Sequence, residues 1–281
     1  MRGKGKGRKG RWRNRLANGL ILLALGLYWV PGIWGDMTPA QADGPSTQSQ
    51  ASAQSPAAEP SLTNPEPARA GGTGEARDLL EKLEETRQEN PDTVGWLWVP
   101  GAGVDQPVMQ TPGDNEYYLR RGLSGEYDSR GCLFLDERCD ALGQTVNRLV
   151  YGHEMKDGSM FGQLKNYRDP ACFERWPLLA YATGAGVEVF RVMAVIEARV
   201  LNQGEEGFRY YYFFDAATSG EWEEWYKNIR QMALYDTGVT GHWGDRYLTL
   251  STCDSSRPGG RLALVARREE WIPAEKLLGD G

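Results

Sequence analysis

Three residues in three separate segments have the chemistry for nucleophilic catalysis together: a cysteine, an arginine and a histidine. Cys253 ends the alternating run Tyr247-Leu-Thr-Leu-Ser-Thr-Cys253, and Arg261 opens the run Arg261-Leu-Ala-Leu-Val-Ala266. The period-2 apolar pattern predicts neighbouring strands. The polar, Gly/Pro-rich segment Asp254-Ser-Ser-Arg-Pro-Gly-Gly260 joins them as a loop. Such a pair sets a thiol beside a permanent cation at one sheet edge, and a thiolate so placed is an activated nucleophile. Taken alone, the segment fits a buried structural cysteine equally well. The histidine decides between them. His153 lies where the apolar run Leu149-Val-Tyr151 breaks at Gly152 into the polar loop Glu154-Met-Lys-Asp-Gly-Ser159. The end of a strand facing a loop is where catalytic groups usually sit. The chain's other histidine, His242, is in the turn-like Thr240-Gly-His-Trp-Gly244 without an obvious partner, and reads as a structural residue.

The elements that must position these groups are legible in outline. Ala76, Leu79, Leu80 and Leu83 fall on one face of a helix over Glu75–Glu89, which Pro91 stops. Strands are expected at Trp96–Pro100, Val104–Met109, Cys132–Asp136 and Arg148–Tyr151. Phe161–Tyr167 reads as helical, and Leu178–Thr183, Val187–Val200 and Phe208–Phe214 as β-rich. Thr218 and Glu221 have capping-box spacing before a helix bearing Trp222, Trp225, Tyr226, Ile229, Met232 and Ala233 on one face. That aromatic stripe reads as packing rather than a ligand box. Strands outnumber helices, so the class is mostly β, of α+β type. No internal repeat is found.

The N-terminal region is of another kind. Eight basic residues (Arg2, Lys4, Lys6, Arg8, Lys9, Arg11, Arg13 and Arg15) precede the first acid, Asp36, and an apolar stretch runs from Leu16 to Trp34. Nineteen helical residues span roughly 28 Å, close to the thickness of a bilayer's hydrocarbon core. The expectation is a cytoplasmic basic tail (1–15), a single-pass anchor (16–34) and a flexible linker rich in Pro, Ser, Ala and Gln (35–74). A catalytic domain (75–281) then lies outside the cell membrane. Ala40-Gln-Ala42 has the small-x-small form of a signal cleavage site, which leaves a cleaved signal as the alternative. Beyond the tail, 24 Lys and Arg face 38 Asp and Glu, which argues against nucleic acid as a partner.

Cys132 and Cys139 would lie about 20 Å apart on an extended chain, too far to bridge, whereas a tight turn could join them. Two distant histidines and no C-x-x-C pair offer no metal site. Glu205-Glu206 and Glu223-Glu224 read as solvated faces, and Gly101-Ala-Gly103 lacks the setting of a phosphate loop. No cofactor is expected.

Five motifs carry a family resemblance: Thr249-Leu-Ser-Thr-Cys253, Arg261-Leu-Ala-Leu-Val-Ala-Arg267, the run from Tyr151 to Leu164, Gly131–Arg138, and Asn90–Gly101. In this order they resemble the sortases, membrane-anchored cysteine transpeptidases of Gram-positive cell surfaces, and within them class B. The resemblance spans about Glu75 to Arg268. It implies an eight-stranded β-barrel with an N-terminal helix and an inserted helix before the cysteine strand. It also implies Cys253 as nucleophile, His153 as proton shuttle, and Arg261 as the group binding the substrate carbonyl or oxyanion. Asn115, Leu119, Ser251 and Asp254 would line the peptide groove. The implied partners are the C-terminal sorting signal of a secreted protein and an amine from a peptidoglycan precursor or a pilin subunit. A peptidase that hydrolyses the acyl-enzyme, or a silent binding module of the same fold, are the competing readings. The aromatic run Phe208-Arg-Tyr-Tyr-Tyr-Phe-Phe214 departs from the family.

Overall fold

The alternation read along the strands closes into a ring. A computed structural model of the chain describes residues 72–142, 144–254 and 259–279, with 253 and 254 described by their backbone. The strands are β1 (Thr93–Val99), β2 (Val104–Met109), β3 (Leu133–Leu135), β4 (Asn147–Gly152), β5 (Leu178–Thr183), β6 (Gly186–Arg199), β7 (Tyr247–Asp254) and β8 (Gly260–Pro273). They form a closed barrel in the order β1-β2-β3-β4-β7-β8-β6-β5. This is the expected eight-stranded barrel. Closure leaves no sheet edge to pair with another chain. Two contacts, β2–β3 and β4–β7, are parallel. A parallel pair needs a long crossover, and the one from β4 to β7 carries β5, β6 and the inserted helix.

Helix α1 (Thr73–Glu89) starts two residues before the expected boundary. Its buried Ala76, Leu79, Leu80 and Leu83 pack against Ala180, Ala182, Val187 and Ile272, and the helix thereby covers that flank of the barrel. A short C-terminal helix α4 (Ala274–Leu278) adds Leu277 to the same cluster, and Arg77 Nε donates to the Leu277 carbonyl at 2.8 Å. A further short helix α2 (Pro170–Arg175) is capped by Asp169, whose side chain accepts from Ala171 N. The inserted helix α3 (Ser219–Met232) is capped by Thr218, and its aromatic stripe is packing, as expected. Trp225 stacks on Phe213 with ring centroids 4.4 Å apart and meets Tyr247 of β7 edge-on at 4.8 Å.

Two elements differ from the reading of the chain. Phe208–Phe214 is not a strand: it holds a single 3-10 turn at Tyr210–Tyr212. Tyr210 and Tyr211 are buried while Tyr212 is exposed, and the Phe213 and Phe214 carbonyls accept from Asn147 Nδ2 and Asn147 N instead of a ladder partner. Phe161–Tyr167 gives only the 3-10 turn Leu164–Arg168. The expected tail (1–15), anchor (16–34) and nearly all of the linker lie outside the described residues. Among the described residues no helix is long and apolar enough to cross a membrane.

One charged group runs through the barrel wall. Arg148 of β4 pairs with Glu188 of β6, and Glu188 also accepts from Arg268 of β8 at 2.8 Å. Arg148 and Glu188 are 1% and 2% exposed. Burial pulls the Arg148 guanidinium down to about 10, so it stays charged at neutral pH. Its guanidinium lies 4.8 Å from the centre of the Tyr181 ring, which favours the cation.

Candidate active site

Strand register brings the three candidate catalytic residues to one end of the barrel. Along the parallel pair β4–β7, Tyr151 lies opposite Ser251 and Gly152 opposite Thr252. The next residues are His153 and Cys253. Across the antiparallel pair β7–β8, Cys253 lies directly opposite Arg261. With neighbouring strands about 4.8 Å apart, the three backbone positions fall within about 10 Å of one another. Opposed positions of a ladder share one face of the sheet. A cleft of about 260 Å³ opens there, walled by Leu119, Phe134, Tyr151, His153, Thr252 and Arg261, with Gly152 and Ser251 between them. A second concavity of about 540 Å³ lies between α1 and the barrel, lined by Glu75, Asp78, Lys82 and Trp98. It is larger but holds neither a thiol nor a histidine, so the first is the candidate site.

Gly152 is required where it stands. A Cβ there would sit 2.5 Å from Leu133 Cδ2 and 2.7 Å from Phe161 Cδ2, so only glycine lets the loop after β4 fold against β3. That loop returns at once: Phe161 N donates to the His153 carbonyl at 3.0 Å, and Glu154 bridges Met160.

The His153 ring is oriented by main chain. Nε2 lies 2.7 Å from the Leu119 carbonyl oxygen. A carbonyl only accepts, so the neutral ring carries its proton on Nε2 and presents Nδ1 as the free base. Burial holds the imidazole below its ordinary range; the Leu119 bond opposes this and the Arg120 charge adds to it. Because the chain has only two histidines, the effect is directly testable. In a proton-NMR titration, with the His242 signal assigned through His242→Gln, the His153 ring is expected to titrate below about 6.5, the unperturbed value. The sign for stability follows. As pH falls below about 6.5, the unfolded chain takes up a proton that the folded chain refuses, so His153 contributes a loss of stability through that window. A His153 titration at or above the unperturbed value would contradict the burial.

Arg261 is 6% exposed and donates from Nη1 to the Gly260 carbonyl at 2.8 Å. Ser251 lines the cleft and its Oγ bonds the Tyr210 hydroxyl at 2.7 Å. Leu119 both walls the cleft and supplies the carbonyl to His153. Asp254 ends β7 opposite Gly260. Asn115 is not among the residues lining the cleft. Its Oδ1 accepts from Glu137 N at 2.7 Å, which gives it a loop-fixing role, while its buried Nδ2 meets no partner.

One cleft residue, Thr252, and the partner of another, Tyr210, escaped the sequence reading. Thr252 has a buried hydroxyl without a hydrogen-bond partner, and only its place before the cysteine could have drawn notice. Tyr210 was masked by the strand assigned to its segment. The other cysteines are unsuited to nucleophilic work. Cys132, Cys139 and Cys172 are free thiols. Burial pushes Cys132 up to about 11 and Cys139 up to about 12, and raises Cys172 as well. The turn that would bridge Cys132 to Cys139 is therefore not made. Among the described residues no three His, Cys, Asp or Glu are grouped to hold a metal ion.

No family model matches the chain. Sortase B of Listeria monocytogenes is 33% identical over 184 residues, covering 66% of this chain and 70% of that protein. The chain belongs to the sortase B family. Sortase B of Bacillus anthracis, solved in complex with AAEK1, is 31% identical, covers 70% of this chain and 94% of its own, and superposes with a TM-score of 0.59. The Staphylococcus aureus sortase B–substrate complex shares the fold at 23% identity and a TM-score of 0.60, over 68% of this chain and 85% of its own. A sortase B complexed with Gly3 also shares the fold, at 23% identity and a TM-score of 0.60, over 68% of this chain and 86% of its own. Membership makes this chain a sortase-type cysteine transpeptidase.

Proposed function

We propose that this sortase B-family enzyme joins a secreted protein's C-terminal sorting signal to an amine of the cell wall or a pilin, with Cys253, His153 and Arg261 as its catalytic residues. The observation that carries the assignment is the register: Cys253 opposite Arg261, and His153 one residue beyond the Gly152–Thr252 pair. In this reading His153 takes the Cys253 thiol proton, the thiolate attacks the scissile carbonyl and a C–S bond forms. Arg261, a buried residue, donates to the oxygen as it gains charge. Collapse breaks the C–N bond, and the departing amine takes a proton from His153. The acceptor amine then attacks the thioester and gives a proton back to His153 as the new amide forms. Leu119 and Ser251 serve as walls for the donor peptide, with Asp254 at the mouth. Asn115, set back from the cleft, would reach a peptide only at its edge. A substrate bound to S. aureus sortase B and Gly3 bound to a sortase B support a peptide donor and an amine acceptor. Residues 1–15, 16–34 and 35–74 serve as cytoplasmic tail, membrane anchor and linker, with the catalytic domain outside.

The test is a peptide-library assay on the full chain, with and without triglycine as acceptor. The expected result is a triglycine-extended product whose share rises with acceptor concentration, together with a peptide adduct trapped on Cys253 and seen by mass spectrometry. Hydrolysis alone at saturating triglycine would overturn transfer in favour of a peptidase.

A further inference from the structure

The hydrogen bond that orients His153 comes from a segment too short to hold itself in place. Leu119 belongs to the four-residue 3-10 turn Tyr117–Arg120. So few residues supply little internal hydrogen bonding, and such a turn is positioned by what it is tied to. Main-chain bonds tie it on either side of Leu119, from Cys132 N to the Tyr118 carbonyl at 3.0 Å and from Asp128 N to the Arg120 carbonyl at 3.1 Å, and the buried side-chain tie is Tyr118. The Tyr118 hydroxyl donates to Asp92 Oδ2 at 2.8 Å and accepts from Asn90 Nδ2 at 2.8 Å. Asn90 Nδ2 also donates to the Leu123 carbonyl at 2.7 Å, while Asn90 Oδ1 accepts from Asp92 N at 2.9 Å. The ring is 2% exposed, packed with Met109, Cys132 and Phe134. Burial raises the phenol well above its ordinary range, so it remains a donor. From the other side Gly131, at φ +61°, lies so close that a Cβ there would come within 2.5 Å of the Leu119 oxygen. The carbonyl is therefore bounded on both sides.

We propose that Tyr118, tied to Asn90 and Asp92, is a positioning residue for His153, acting through the Leu119 carbonyl. Asn90 follows the last residue of α1, and Asp92 precedes β1. The end of the N-terminal helix thus sets the tautomer of the proton shuttle about 60 residues further along the chain. No carboxylate touches the imidazole in this chain of contacts; the orienting carboxylate acts two steps away, on the phenol. The inference rests on His153 being the shuttle.

Tyr118→Phe in the full chain keeps the ring and removes the hydroxyl. It is expected to lower kcat by about tenfold to a hundredfold, the scale of a misplaced catalytic group, with KM for the donor peptide little changed. Nitrogen NMR of the imidazole should show the Nδ1–H tautomer appearing beside Nε2–H, and the pH profile of kcat/KM should shift. Asp92→Ala should reproduce the loss, and Asp92→Asn, which keeps an acceptor, should recover it at least in part. If Tyr118→Phe does not fold, Asn90→Ala takes its place. A lower melting temperature with tautomer and pH profile unaltered would make Tyr118 a packing residue and overturn the proposal. His153→Ala separates the two failures: transfer persisting in that variant sinks the shuttle assignment itself. An inactive His153→Ala beside an unaltered Tyr118→Phe sinks only the positioning role.

Discussion

Replacing Cys253 by Ala is expected to abolish acyl transfer and adduct trapping while the barrel still folds. The three other thiols cannot substitute, since Cys132 and Cys139 are buried and pushed far above neutral, and Cys172 is raised too. The reaction loses its covalent intermediate, and what survives is the residual effect of binding and of the oxyanion donor. Arg261→Ala should cost about 10² to 10³ in kcat, the usual loss of one oxyanion donor. Arg261→Lys should not restore it, because an ammonium lacks the planar fork and would have to fill the site of a residue that is 6% exposed. Product formation by liquid chromatography and circular dichroism of each variant check both points. Turnover by Cys253→Ala above a few per cent of the parent would place the nucleophile elsewhere.

The second large effect is on stability. Glu188→Ala leaves the Arg148 guanidinium inside the barrel wall without its carboxylate, and Arg268 loses the same partner. Breaking a buried pair from one side costs about 3–5 kcal/mol, mostly because a bare charge stays behind. Replacing both members by apolar side chains of similar volume, Arg148→Met with Glu188→Leu, should recover most of that loss, since the pair's own desolvation is nearly as large as its attraction. Equilibrium denaturation with urea at a fixed slope measures both. The buried Arg148 Nη1 has no hydrogen-bond partner, which already weighs against the pair as a net stabiliser. A single-variant loss under about 1 kcal/mol would show that water or a rearranged Arg268 reaches the site.

How much of this was legible depended on whether a residue's neighbours lie close in the chain. Cys253 and Arg261 sit on strands joined by one loop, so alternation alone placed them face to face. His153 could be put at a strand end, but not beside Cys253. Their adjacency comes from a parallel pairing between residues about 100 positions apart, tied further by Thr249 Oγ1 donating to Asn147 Oδ1 at 2.8 Å. Hydropathy carries no mark of such a register. Phe208–Phe214 misled because aromatic residues are as common in a packed irregular run as in a strand. The group that orients His153 could not be read as an Asp or Asn because it is a backbone carbonyl, and every residue has one. Leu119 was singled out as a groove wall; its main-chain role emerged only from the fold.

The parallel alignment of β4 with β7 also orders events in time. A hairpin can form as soon as both arms have been made, but these two strands meet only after the chain between them has looped around and closed. Contacts of such long sequence separation are slow to form and arrive late. Until the chain has been made as far as β7, Cys253 and His153 are therefore strangers. If Cys253 and His153 act as proposed, competence to cut waits on completion of the ring.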